Sequence, residues 1–132
     1  MQFTGHCLCG AVRVTTEAAP IKVMHCHCSM CRRHSGAAFL TYAMFAKDAV
    51  QFGGEPAVPY RSSKAAYRSH CGTCGSPTAF IYDGDPEVIY LPLGLFDQAD
   101  LMLPSEHWQA GDMLPWLHIE DGLPRYKGLP DG

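Results

Sequence analysis

The chain has 132 residues, 47% hydrophobic and 17% charged, with a formal net charge of −3. That length suits one domain spanning 1–132, since domains run roughly 100–200 residues, and the composition excludes a disordered chain, which would be poor in apolar residues and rich in charge. The acidic balance argues against a nucleic-acid partner, which a basic excess would announce.

Thirteen glycines and ten prolines are spread along the sequence and leave no room for long helices. The remaining periodicity is mostly strand-like. Residues 11–16 alternate, with Val12 and Val14 on one face. Residues 21–24 form a short apolar run that leads straight into cysteines. Residues 38–45 read as a buried strand, and 50–52 as a strand ending at a Gly53-Gly54 turn. Residues 65–70 run into a further cysteine pair. Strands at 78–82 and 87–93 flank Asp83-Gly84-Asp85-Pro86, a plausible hairpin turn. The helical candidates are short: Ser29–Ser35 and a turn near 97–101. The expected class is therefore mainly β. The longest nearly apolar run, 37–46, is about half the roughly 20 residues a spanning helix needs, so no membrane segment is expected. The N-terminus lacks the basic and apolar regions of a secretory signal, which makes the cytoplasm the expected location.

In a reducing compartment, clustered cysteines bind metal more often than they form bridges, and seven, an odd number, leaves one over in any disulfide framework. They fall into three groups: Cys7-Leu8-Cys9, Cys26-His27-Cys28-Ser29-Met30-Cys31 and Cys71-Gly72-Thr73-Cys74. The first and third each end in Cys-Gly, at Gly10 and Gly75. A glycine there can take positive φ, curling the chain under a metal with backbone N–H groups free for the sulfurs. Structural zinc is usually tetrahedral, and one tight turn supplies two ligands. Cys7, Cys9, Cys71 and Cys74 are therefore expected to share one structural zinc. Cys26, Cys28 and Cys31 then remain on one loop. Three protein ligands with an exchangeable fourth position suit a catalytic zinc, whereas a histidine in the fourth position would close the site. His25, His27, His34 and His70 are near enough in sequence. His25 and His27 alternate with the cysteines and would point away on an extended segment. His34 is the strongest rival, one helical turn beyond Cys31.

Taken together, Gly5-x-Cys7-x-Cys9-Gly10, Cys26-His27-Cys28-x-x-Cys31-Arg32, Gly36-Ala37 and Cys71-x-x-Cys74-Gly75-Ser76 resemble the glutathione-dependent formaldehyde-activating enzymes, a family that includes centromere protein V. Tyr60-Arg61-Ser62-Ser63, Glu106-His107-Trp108, Trp116 and Asp121-Gly122-Leu123-Pro124 extend the resemblance toward the C-terminus. It implies a β-tent of small antiparallel sheets organised around two zinc ions. One would be structural, on Cys7, Cys9, Cys71 and Cys74, and the other would sit on Cys26, Cys28 and Cys31 with its fourth position open to water or a thiol. It also implies a carbon–sulfur lyase acting on a glutathione or other small-thiol adduct of an aldehyde, in the manner of S-(hydroxymethyl)glutathione synthesis.

The chemistry of the ligands agrees. Three thiolates leave Zn²⁺ with a net charge near −1, a poor activator of water beside a three-histidine site but suited to an incoming thiol, whose reactive form is the thiolate. Glutathione carries two carboxylates, so cations are needed. Arg32, directly after Cys31, is the first candidate, followed by Arg33, Arg61, Lys64 and Arg68, although for any one of these an ordinary surface role is the default expectation. His27 or His34 could move the thiol proton. For His107 and Trp108 a packed tryptophan beside a surface histidine is expected. The competing readings are a non-catalytic module with two structural zincs and a sensor that releases zinc when the middle cysteines oxidise.

Overall fold

The computed structural model describes residues 1–130. Ten strands form two sheets: β1 (Phe3–His6), β2 (Val12–Thr16), β3 (Lys22–Cys26), β4 (Leu40–Ala46), β5 (Val50–Gly54), β6 (Val58–Arg61), β7 (Ala66–His70), β8 (Pro77–Tyr82), β9 (Val88–Pro92) and β10 (Glu106–Trp108). The smaller sheet is antiparallel, in the order β1-β2-β5. The larger runs β10-β3-β4-β9-β8-β7-β6. It is antiparallel except at its edge, where β10 lies parallel to β3 and sets Trp108 opposite Cys26. The one α-helix among the described residues, α1 (Ser29–Ser35), is joined by short 3-10 turns such as Ala99–Leu101. The mainly β class expected from the sequence is the class observed.

Side chains alternate across the faces of a strand, and that alternation divides the large sheet chemically. One face carries Val23, Ala43, Phe45, Ile81, Ile89 and Leu91. These pack with Phe3, Val12 and Val14 of the small sheet into the main core. The opposite face carries Met24, Cys26 and Tyr42, with Phe80, Tyr90 and Trp108 packed against them. A one-residue slip in any of these strands would exchange the two sets.

Three strands have no counterpart among the sequence expectations: β1, β6 and β10. β6 contains Pro59 and sits at the sheet edge, where a missing N–H is tolerated. β10 is only three residues long and owes its register to β3. The expected Gly53-Gly54 turn is instead the end of β5. Its residues pair with Arg13 and Val12, because β2 offers a continuous ladder as far as the buried Val12, and pairing outlasts the local preference of two glycines to turn.

Candidate metal centre

Two cysteine clusters assemble, each with its sulfurs within 4.8 Å of one another: Cys7, Cys9, Cys71 and Cys74, and separately Cys26, Cys28 and Cys31. The first joins the β1–β2 turn to the β7–β8 turn, and so ties the small sheet to the large one. Its turns are built alike. Gly10 N–H donates to the Cys7 carbonyl and Gly75 N–H to the Cys71 carbonyl, and both glycines hold positive φ, 83° and 79°. N–H groups of Val12, Thr73 and Cys74 point at the Cys7 and Cys71 sulfurs. The Cys7–Cys9 and Cys9–Cys71 sulfurs stand 3.6 and 3.7 Å apart. With Zn–S near 2.3 Å, a tetrahedral edge is about 3.8 Å, which these two separations match, and the four-thiol donor set fits zinc. The Ser76 hydroxyl and backbone hold the Cys74 thiol down to about 5, favouring the thiolate.

The second cluster lies on the opposite face of the large sheet. Cys26 ends β3. Cys28 caps α1, its sulfur accepting from the Cys31 N–H at 3.2 Å, and Cys31 sits in the first turn of the helix. Sγ separations are 2.9 Å for Cys28–Cys31 and 3.3 Å for Cys31–Cys26. Hydrogen bonds from Cys26 and Cys31 pull the Cys28 thiol down to about 2, while the same sharing, led by Cys28, pushes Cys26 up. Cys31 is also pushed up, so the cluster favours one thiolate held by two neighbouring thiols. Soft thiolates in this number suit zinc, with small outward shifts of the sulfurs to reach tetrahedral edges.

Arg68 is the cation at this cluster. It is 5% exposed, donates from Nη1 to the Tyr42 hydroxyl at 2.8 Å and from Nη2 to Cys31 Sγ at 3.7 Å, and lies 4.6 Å from the centre of the Phe80 ring. Among the described residues no carboxylate pairs with it. Buried charges are paired or serve a metal site, so the counter-charge of Arg68 is the sulfur cluster. The default expectation of a surface cation therefore fails here. The alternation of β7 carries the reason, since buried Ala66 places Arg68 on the same inward face. Burial also pushes the Tyr42 phenol well above its ordinary value, keeping it a hydrogen-bond donor 3.8 Å from Cys31 Sγ.

A cleft of about 430 Å³ opens over the three sulfurs and Arg68, walled by Tyr42, Phe80, Tyr82, Tyr90 and Trp108. The other sequence candidates lie elsewhere. Arg32 and Arg33 line a separate shallow depression with Gly36 and Leu114. Arg61 pairs with Asp83 at the surface, and Lys64 is exposed. His34 is not part of the sulfur group, and its ring sits against the Ser69 backbone. His25 bonds Thr41 and points away from the sulfurs, as the alternation implied. His27 likewise turns to the far side, where its Nε2 meets His107 Nδ1 at 2.9 Å and His107 Nε2 meets Asp121 at 2.7 Å. The expected surface histidine is thus reversed: His107 is fully buried, and Trp108 is the half-exposed member that faces the cleft. A parallel return of the chain past His107, with its N–H on the Pro124 carbonyl, seals that ring.

Residues 2–111 match the family described as glutathione-dependent formaldehyde-activating enzyme, GFA. The chain belongs to this family. The match takes in all ten strands and both cysteine clusters, whereas Trp116 and the Asp121–Pro124 stretch fall beyond it. An uncharacterized lyase of Schizosaccharomyces pombe is 28% identical to this GFA-family chain over 95 residues, 72% of this chain and 69% of the yeast protein. A Rhodobacter sphaeroides protein of known structure superposes with a TM-score of 0.59 at 22% identity, over 93% of this chain and 99% of that one, a likeness of fold. GFA membership and the lyase-named relative support a lyase-like enzyme, and the two clusters could each hold a metal. No helix among the described residues is long and apolar enough to cross a membrane.

Proposed function

We propose that this GFA-family protein is a zinc-dependent carbon–sulfur lyase acting on a small-thiol adduct of an aldehyde, glutathione's among the candidates. Cys26, Cys28 and Cys31 would hold the reactive zinc, and Cys7, Cys9, Cys71 and Cys74 the structural one. The observation that carries the reading is the buried Arg68 guanidinium, whose counter-charge is a three-sulfur cluster at the floor of an open cleft. A zinc ion bound there would supply stabilisation of a substrate sulfur as thiolate.

The chain's own groups do the rest. Arg68 offsets the excess negative charge of three thiolates, so a fourth sulfur can approach. Tyr42, kept protonated by burial and oriented by Arg68, presents a hydroxyl beside Cys31 that can donate to the adduct's oxygen. Trp108 and Tyr90 narrow the approach and limit water. In the forward direction the thiol sulfur bonds to the aldehyde carbon and the carbonyl oxygen takes up the thiol proton. In reverse the carbon–sulfur bond breaks, the sulfur keeps the electron pair, and the hydroxyl proton is released.

Hemithioacetals form spontaneously, so the test is a rate. Exchange between free aldehyde and adduct should be measured by NMR with formaldehyde and each of several thiols. Acceleration in proportion to zinc-loaded protein, lost in Cys31→Ser, is the expected result. No acceleration with any thiol–aldehyde pair would refute the reading. His34→Ala should leave the metal count at two; a drop to one would mean that a histidine closes the second site.

A further inference from the structure

The cleft's lining is chemically lopsided. Its side chains include five aromatics, four of them in a series of tilted and edge-on contacts, with ring centres 6.2 Å apart for Tyr42–Phe80, 5.6 Å for Phe80–Tyr90 and 5.9 Å for Tyr90–Trp108. Among the described residues lining it there is one cation, Arg68, and one anion, Asp112. Arg68 is already engaged within the site and only 5% exposed, so little of it faces a ligand carboxylate. Both its Nη groups are engaged, by Tyr42 and Cys31, and its Nε is sealed from solvent without a partner. Two cations beside the lining, one over the Trp108 ring and one next to Ser62, are also paired. Lys22 pairs with Glu106 at 3.2 Å, and Arg61 with Asp83. Trp108 turns its indole N–H away to Glu106 at 2.7 Å, which fixes the ring and leaves its surface apolar toward the cleft.

From this lining we infer that the cleft selects adducts whose thiol part is uncharged and aromatic, in preference to glutathione. The inference rests on the thiol-adduct reading above and narrows it. Glutathione, with two carboxylates against one ammonium, brings net negative charge to a lining whose one cation among the described residues is the engaged Arg68 and whose anions are Asp112 and the sulfur cluster. Carboxylates that lose water there meet only the neutral donors Ser29, Ser62, Ser63 and Gln109 in exchange, a poorer replacement than a free cation. An aromatic ring gains both buried apolar area and ring–ring contacts worth about 0.5–1.5 kcal/mol each beyond that area. Specificity of this kind is a difference between two affinities, and the repulsive contribution counts as much as the attractive one.

Calorimetric titration of the zinc-loaded protein with benzyl mercaptan, benzyl alcohol and glutathione tests it. Benzyl mercaptan should bind at least 10-fold tighter than glutathione. Trp108→Leu should shrink that ratio several-fold by weakening the aromatic thiol. Asp112→Lys, at an exposed position where folding is not at stake, should shrink it from the other side by strengthening glutathione. Glutathione binding as tightly as benzyl mercaptan, or a ratio unmoved by both substitutions, overturns the inference while leaving a thiol site intact. Benzyl alcohol binding as well as benzyl mercaptan refutes the thiol reading and supports the aromatic selectivity on its own. Binding by none of the three overturns both.

Discussion

The two cysteine clusters sit on opposite faces of one sheet and differ in what surrounds them. Cys7, Cys9, Cys71 and Cys74 bridge two sheets that meet through the main core, and backbone N–H groups supply most of the hydrogen bonds to their sulfurs. Cys26, Cys28 and Cys31 hang on a strand end and a seven-residue helix, and the group that balances them is a side chain, Arg68. Backbone donors come with the fold and are hard to vary. A side-chain cation in a cleft can be exchanged without disturbing the core. The four-sulfur cluster thus joins turns of two sheets, whereas the three-sulfur cluster lies on one face of a single sheet.

The largest consequence concerns metal removal. Structural zinc binding is worth roughly 10–16 kcal/mol in small domains, against a typical stability of about 5–15 kcal/mol. Complete stripping with a strong chelator should therefore unfold the protein, seen as loss of near-UV circular dichroism. Retained tertiary signal after stripping would erase the distinction between the clusters. Next in size is Arg68→Met. Groups that bond to metal ligands typically matter 10–100-fold to metal affinity, so competition with a chromophoric chelator should show a weakened second site and an unchanged first.

How far the sequence discloses each cluster follows from the same contrast. Both Cys-Gly turns are local, and positive φ at Gly10 and Gly75 is a property of a few consecutive residues, so the four-sulfur pairing was readable from them. The helix Ser29–Ser35 was equally local, bounded by Cys28 and Gly36. The surroundings of the other cluster are not local. Arg68, Tyr42, Phe80 and Tyr90 come from four strands, and only the register of the large sheet brings them to one face. Tyr42 interrupting an apolar strand was a faint signal, and Ala66 two residues before Arg68 another. The burial of His107 depends on β10 and on the return of the chain at Pro124 and Arg125, which no periodicity announces.

Glu106 offers a smaller test near the cleft. Burial works against its carboxylate, but the Trp108 N–H, Lys22 and Ser105 together hold it below its ordinary value of 4.5. Because that value is depressed in the folded state, the stabilisation is fully present above pH about 4.5 and fades as pH falls through the lower folded value. Glu106→Gln should cost about 1–2 kcal/mol at neutral pH in denaturant unfolding and flatten the acid limb of the stability profile. It should leave metal content untouched.

The division between the clusters is tested most directly by metal content and near-UV circular dichroism of Cys74→Ser beside Cys31→Ser. The expected outcome is two zincs in the unaltered chain, a folded Cys31→Ser with one, and a Cys74→Ser that is unfolded or insoluble. A Cys31→Ser that unfolds as completely as Cys74→Ser would contradict the assignment of structure to one cluster and chemistry to the other.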